Sequence, residues 1–181
     1  MKVRRAEPRD AHAVATLQDA AWRAAYRGIL PDALLDGLVL AEREARRRAH
    51  FTTPTPGVTN WVVGHDEVVG WGAVGPPREA DVPPGALELY ALYVHPEAQG
   101  WGHGRALLEH ALRHARDAGA PCMTLWVLSA NRQARAFYEA AGFAVDETTP
   151  EKEFDDTGAM TLRMRRELRE AQPFPGHAGR G

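Results

Sequence analysis

The segment Gln99-Gly100-Trp101-Gly102-His103-Gly104-Arg105 places three glycines within five residues, between an apolar run and an amphipathic stretch. Glycine adopts backbone turns that other residues resist, and it lets N–H groups come close to a ligand. A helix beginning there adds unpaired N–H donors and about half a positive charge. Together these features suit a pyrophosphate, and Arg105 adds a charge-assisted donor. The competing reading is a glycine-rich turn without a ligand. A P-loop is a weak reading, because no lysine follows the glycines. The spacing Gly-x-Gly-x-Gly also misses the dinucleotide fingerprint, and residues 123–128 supply no acidic residue for a ribose.

Other residues offer chemistry with less support from spacing. Glu88 sits within the apolar run Ala86–Val94. Burial of a carboxylate raises its pKa, which suits a general base near neutrality. Its nearness to Pro83-Pro84-Gly85 leaves open a strand-end carboxylate in solvent. Trp22 and Tyr26 are four residues apart and share a helix face, either as core or as a ligand wall. His110 and His114 have the same spacing, but no third metal ligand accompanies them, and no metal is expected. Cys122 reads as a small buried residue. Residues 146–156 hold six acids and one base, Lys152. That stretch is either an ordinary solvated loop or a rim that attracts a cationic amine.

The elements that must position these residues follow from periodicity. Val3–Ala6 reads as an edge strand. Asp10 fits the N-cap of a helix carrying Val14, Leu17 and Ala21. Gly28 and Pro31 mark a stop and a restart, and Arg43–Arg48 reads as an exposed helical face. Asn60–Val63 and Val68–Val74 form a hairpin. Ala86–Val94 suits a buried central strand. Leu107, Leu108, Ala111, Leu112 and Ala115 mark a helix, Met123–Leu128 a further buried strand, and Asn131 the cap of a helix containing Phe137 and Tyr138. Phe143–Val145 and Ala159–Arg165 complete the strands. The expected fold is α/β of the α+β type: one mixed, mostly antiparallel sheet with helices on both faces.

Bulk properties bound the function without naming it. A chain of 181 residues suits one domain; residues 1–168 are taken as that domain and 169–181 as a flexible tail. The net charge of −2, from 22 basic and 24 acidic residues, shows no basic excess and argues against a nucleic-acid partner. The single cysteine excludes an internal disulfide. No apolar stretch approaches the ~18 residues of a membrane span, and no signal peptide is visible, so a cytoplasmic protein without membrane contact is expected.

The pattern Gln-x-x-Gly-x-Gly at Gln99–Gly104 resembles the acyl-CoA pyrophosphate loop of the GNAT superfamily of N-acetyltransferases. Leu92-Tyr93-Val94-His95-Pro96-Glu97 looks like that family's central strand and its exit. Asn131 through Phe143 is similar to its second signature, in which Asn opens a helix and Phe-Tyr is followed by Gly-Phe. The likeness covers roughly Val3 to Leu168.

The resemblance implies acetyl-CoA as co-substrate. Gln99, Gly100, Trp101, Gly102, His103, Gly104 and Arg105 would hold its pyrophosphate, and the backbone of Leu92, Tyr93 and Val94 its pantetheine arm. Asn131 would bind pantetheine, cap its helix, or do both. Tyr138 would protonate the departing thiolate, and Glu88 would take the amine proton, directly or through water. Trp22, Tyr26 and Arg27 would form the acceptor wall. The implied reaction is direct transfer in a ternary complex to a primary amine of a small molecule or peptide. A non-catalytic acyl-CoA-binding domain is the alternative, and a homodimer is a family tendency.

Overall fold

The computed structural model describes residues 2–168; the expected flexible tail at 169–181 lies outside the described residues. Eight strands form one sheet: β1 (Lys2–Arg5), β2 (Thr59–Gly64), β3 (Val68–Gly75), β4 (Leu87–Val94), β5 (Cys122–Leu128), β6 (Ala144–Val145), β7 (Lys152–Glu153) and β8 (Met160–Glu167). The order is β1-β2-β3-β4-β5-β8-β6, with β7 also paired to β8. Every pairing is antiparallel except β4 with β5. The helices are α1 (Ala11–Tyr26), α2 (Asp32–Asp36), α3 (Leu40–Thr52), α4 (His103–Asp117) and α5 (Arg132–Ala140). The mixed, mostly antiparallel sheet expected from the sequence is present.

Strand alternation divides the core between the two faces. Trp61 and Val63 of β2 join Leu107, Leu108, Ala111 and Tyr138 of α4 and α5 on one face. Val62, between them, points to the other face and meets Val14 and Leu17 of α1 and Phe51 of α3. Helices therefore cover both faces of the sheet. The short strand β7 lies within the acidic stretch, for which the sequence offers a solvated loop.

Two local expectations change. Asp10 precedes α1, but its carboxylate makes no cap bond there. A 3₁₀ turn at Pro8–Asp10 leads into the helix, and the carboxylate instead accepts from Glu7 N at 2.8 Å and from both Arg4 amino groups at 2.7 Å. The Arg43–Arg48 run is not one exposed face. Arg43 and Arg47 turn inward and lie over the rings of Trp22 and Trp71, each 4.5 Å from its ring centroid. Apolar arginine stems favour such burial against aromatic surface.

Candidate active site

The site forms where two central strands part. β4 and β5 pair only over Leu87–Leu89 and Met123–Leu125. From Tyr90 onward β4 keeps its β3 partners, Ala91 opposite Ala73 through Val94 opposite Gly70, while β5 pairs with β8. Tyr90 is the extra residue of a β-bulge, because Ala73 faces Ala91 while Val74 faces Leu89. A bulge bends its strand, and this one lies where the two strands diverge. The wedge opens into a cleft of about 1020 Å³.

The glycine-rich turn closes one end of the cleft. Gly100 and Gly102 have φ of +80° and +82°, a region costing other residues ~1–2 kcal/mol. Gly102 is the N-cap of α4 and accepts from Ala106 N at 2.9 Å. The amides of His103, Gly104 and Arg105 therefore begin the helix without intrahelical partners. Two side chains brace the turn: Gln99 Nε2 donates to Val94 O at 3.3 Å, and His103 Nδ1 lies 2.9 Å from Ala98 O.

Most of the expected cofactor residues converge here. Leu92, Tyr93, Val94, Gln99, Gly100, Gly102, His103, Gly104, Arg105, Asn131 and Tyr138 all line the cleft. Trp101 does not; its side chain is 77% exposed at the tip of the turn. Arg105 reaches the cleft, but its Nε donates to Glu109 at 2.7 Å, the i+4 position on α4. Asn131 Oδ1 accepts from Ala134 N at 3.1 Å, so it does cap α5.

Tyr138 is nearly enclosed, with edge-on contacts to Phe137 and Phe143 at 5.2 and 5.9 Å. Its hydroxyl has no hydrogen-bond partner among the described residues. Burial, helped by Tyr93, drives its pKa well above that of an ordinary phenol. Burial raises Tyr26 similarly, with Tyr93 and Tyr138 adding to the effect. All three tyrosines line the cleft, and the raised pKa values keep Tyr26 and Tyr138 neutral at pH 7.

Glu88 is not the strand-end carboxylate in solvent that its nearness to Pro83-Pro84-Gly85 left open. It is fully buried and does not line the cleft. Both oxygens are occupied by Arg78: Oε2 accepts from the backbone N at 2.9 Å, and Oε1 accepts from Nε at 2.9 Å and from an amino group. The physical reason is compensation, since a buried carboxylate must be paired. Arg78 is the member of the pair that lines the cleft, its ring neighbour being Tyr90.

On the acceptor side, Trp22 and Tyr26 line the cleft with their rings edge-to-face at 5.3 Å. Arg27 does not line it. It turns to α2, where its amino groups donate to Asp32 and Asp36 at 3.0 Å. The sequence reading missed Gln18, Arg47, His50, Trp71, Arg78 and Tyr90, which line the same cavity. Gln18 was detectable, since it falls one turn before Trp22 on the stripe ending at Tyr26. Arg47 was hidden in a run of arginines that look alike in one dimension.

The remaining candidates serve packing. His110 and His114 meet the ring of Trp61 at 5.1 and 5.0 Å. Cys122 is buried at the start of β5, and burial pushes its thiol pKa up. Within the acidic stretch, Asp146 accepts from the buried Arg163 at 3.0 Å, and Glu151 accepts from Ser129 at 2.9 Å. Lys152 pairs with Glu79 and lies over Trp126. Only residues 152–155 of the stretch reach the cleft. Among the described residues, no group of three His, Cys, Asp or Glu is placed to hold a metal ion, and no helix is long and apolar enough to cross a membrane.

Comparison with known proteins agrees with this geometry. The "Probable N-acetyltransferase Rv2775" of Mycobacterium tuberculosis is 30% identical over 151 residues, 82% of this chain and 83% of that protein. The mycothiol acetyltransferase of Nocardiopsis dassonvillei is 49% identical over 61 residues, which are 34% of this chain and only 18% of the relative. Among solved structures, the PaiA N-acetyltransferase of Thermoplasma acidophilum, in complex with coenzyme A, matches with a TM-score of 0.71 at 17% identity, covering 92% of this chain and 98% of that one. The yncA structure of Salmonella typhimurium, solved with its cofactor acetyl-CoA, matches with a TM-score of 0.67 at 25% identity, covering 96% of each chain. A sequence model of the Acetyltransferase (GNAT) family matches residues 12–143, and the chain belongs to that family.

Proposed function

We propose that residues 1–168 form a single cytoplasmic catalytic domain that moves the acetyl group of acetyl-CoA to a primary amine by direct transfer, with Tyr138 as the general acid. The observation that carries this reading is a buried, neutral phenol without a hydrogen-bond partner, lining a cleft between a glycine-rich helix start and two parted strands. The cofactor's pyrophosphate fits the amides at the start of α4, because a helix N-terminus favours an anion. Its pantetheine arm would run in the wedge along Leu92–Val94, replacing the strand partner that β4 lacks there.

In the reaction, the neutral amine nitrogen attacks the thioester carbonyl carbon. A backbone N–H near Val94 stabilises the oxyanion. The C–N bond is retained and the C–S bond breaks. Tyr138 gives its proton to the thiolate, and the proton released by the amine passes to water in the cleft and restores the phenol. Glu88 takes no proton in this scheme; it holds Arg78 at the cleft wall.

Thiol release from acetyl-CoA with a pooled amine library tests the proposal. Turnover that Tyr138→Phe reduces, with acetyl-CoA affinity kept, is the expected result. Coenzyme A binding without turnover on any amine would instead leave a non-catalytic acyl-CoA-binding domain. An unchanged rate in Tyr138→Phe would remove the tyrosine from the mechanism.

A further inference from the structure

The acceptor end of the cleft carries polar groups that the protein itself does not satisfy. Gln18, on α1, is 6% exposed, and its enclosed Oε1 has no hydrogen-bond partner among the described residues. Trp22 Nε1, one turn along the same stripe, is enclosed and unpartnered as well. So is Nε of Arg47, on α3. All three residues line the cleft. Buried polar groups are nearly always hydrogen-bonded, because leaving one unmet costs ~1–3 kcal/mol. Three on one wall point to a ligand.

The sign of that ligand follows from the charges. Arg47, Arg78, Arg105 and Lys152 are the lysines and arginines that line the cleft. Arg78 is paired with Glu88, Arg105 with Glu109 and Lys152 with Glu79. Arg47 alone has no carboxylate within 4 Å among the described residues. It lies over the Trp71 ring and feels the phenol of Tyr93 and the like charges of Arg46 and Arg43. His50 also lines the cleft; burial and the Arg47 and Arg46 charges lower its pKa, and an imidazole, neutral or protonated, supplies no negative charge to Arg47. The acids that line the cleft, Glu153 and Asp155, come from β7 and the turn after it, not from α1 or α3. A half-buried cation without a partner on an aromatic floor is a receptor for an oxyanion, and guanidinium matches a carboxylate in two-pronged fashion.

We infer that the acceptor amine carries a carboxylate, as a free α-amino acid does, and that Arg47 binds this carboxylate with the Gln18 amide beside it. The inference rests on the acetyl-transfer reading above and names its substrate class. Trp22 Nε1 and Arg47 Nε are donors and suit an anion directly, whereas Gln18 Oε1 is an acceptor; turning the Gln18 amide over places its NH₂ in that enclosed position, from which it donates to the carboxylate. Acceptors without the carboxylate, such as peptide N-termini and polyamines, leave Arg47 uncompensated.

The test compares the standard α-amino acids with their α-amides, with purified protein, acetyl-CoA and a thiol-release readout. The expected result is at least one amino acid with kcat/KM ~10–100-fold above its amide, on the scale of one charge-assisted pair. In Arg47→Gln that ratio falls towards one while KM for acetyl-CoA stays unchanged. Arg47→Lys retains part of the preference, and thermal melting of both variants controls for folding. Amides used as well as the acids, or Arg47→Gln lowering both equally, would overturn the inference. Transfer confined to polyamines or peptides would sink it too while leaving acetyl transfer standing. Acetyl-CoA binding with no acetylation of any amine would sink both.

Discussion

The two ends of the cleft are built from different materials. At the end proposed for the cofactor, the cleft is lined by backbone: two glycines at positive φ, the first amides of α4, and a β4 edge without a strand partner. The side chains there are braced against their own chain, as with Gln99 on Val94 and Arg105 on Glu109. At the end proposed for the acceptor, the lining is made of side chains from α1, α3, β3 and the segment after it, and several of their polar atoms have no partner among the described residues. A ligand common to a whole family can be held by backbone geometry that many sequences share. A ligand particular to one protein needs side chains, which change with each substitution.

The largest expected effect falls between the two ends. Tyr138→Phe should lower kcat by ~10²–10⁴-fold, the usual range for a lost general acid, with little change in the dissociation constant of acetyl-CoA. Steady-state thiol release and calorimetric titration separate the two quantities. An equal loss in both would make Tyr138 a packing residue.

The next effect tests whether the cofactor end works through backbone. Gly102→Val forces a branched side chain into positive φ and should weaken acetyl-CoA binding about tenfold, matching ~1–2 kcal/mol of strain. Trp101→Ala changes only an exposed side chain and should shift that affinity less than threefold. If Trp101→Ala proved the more damaging, side-chain recognition would operate at this end too.

Glu88→Gln probes the acceptor wall. It leaves Arg78 without its counter-charge, so stability should fall by about 1–2 kcal/mol, less than for a fully enclosed pair because Arg78 reaches solvent. Melting temperature should drop by roughly 2–8 °C on that basis. The pH profile of kcat should keep its shape. A lost acidic limb would restore Glu88 as a base.

The smallest effect is on acid stability. Burial would raise Asp10, but its Arg4 hydrogen bonds and the Glu7 amide outweigh burial and hold it below an ordinary carboxyl. Burial of Asp146 is likewise outweighed, by Thr148 and Arg163. The unfolded chain therefore binds these protons more readily. The stabilisation is full above the unfolded pKa of ~4 and is lost as pH falls through the folded values. Melting temperature should decline below about pH 4, and Asp10→Asn and Asp146→Asn should each flatten that decline. Unaltered acid curves in both would mean that neither carboxylate is tied more firmly in the fold than in the unfolded chain.

The amino-acid order alone determined the helices, the main strands, the glycine turn at Gly100–Gly104 and the placing of Tyr138 after the Asn131 cap. These depend on local periodicity, on φ preferences and on short motifs, all of which are written within a few residues of each other. Tertiary structure decided the rest. It pairs Glu88 with Arg78, ten residues away through a proline-flanked loop, and keeps that carboxylate out of the cleft lining. It turns Arg27 away to α2 and brings Arg47 over Trp71, although the two look equally available in the chain. The reason is physical. Whether a charge is compensated depends on what packs against it, and that is settled by contacts between residues distant in sequence, not by the charge itself.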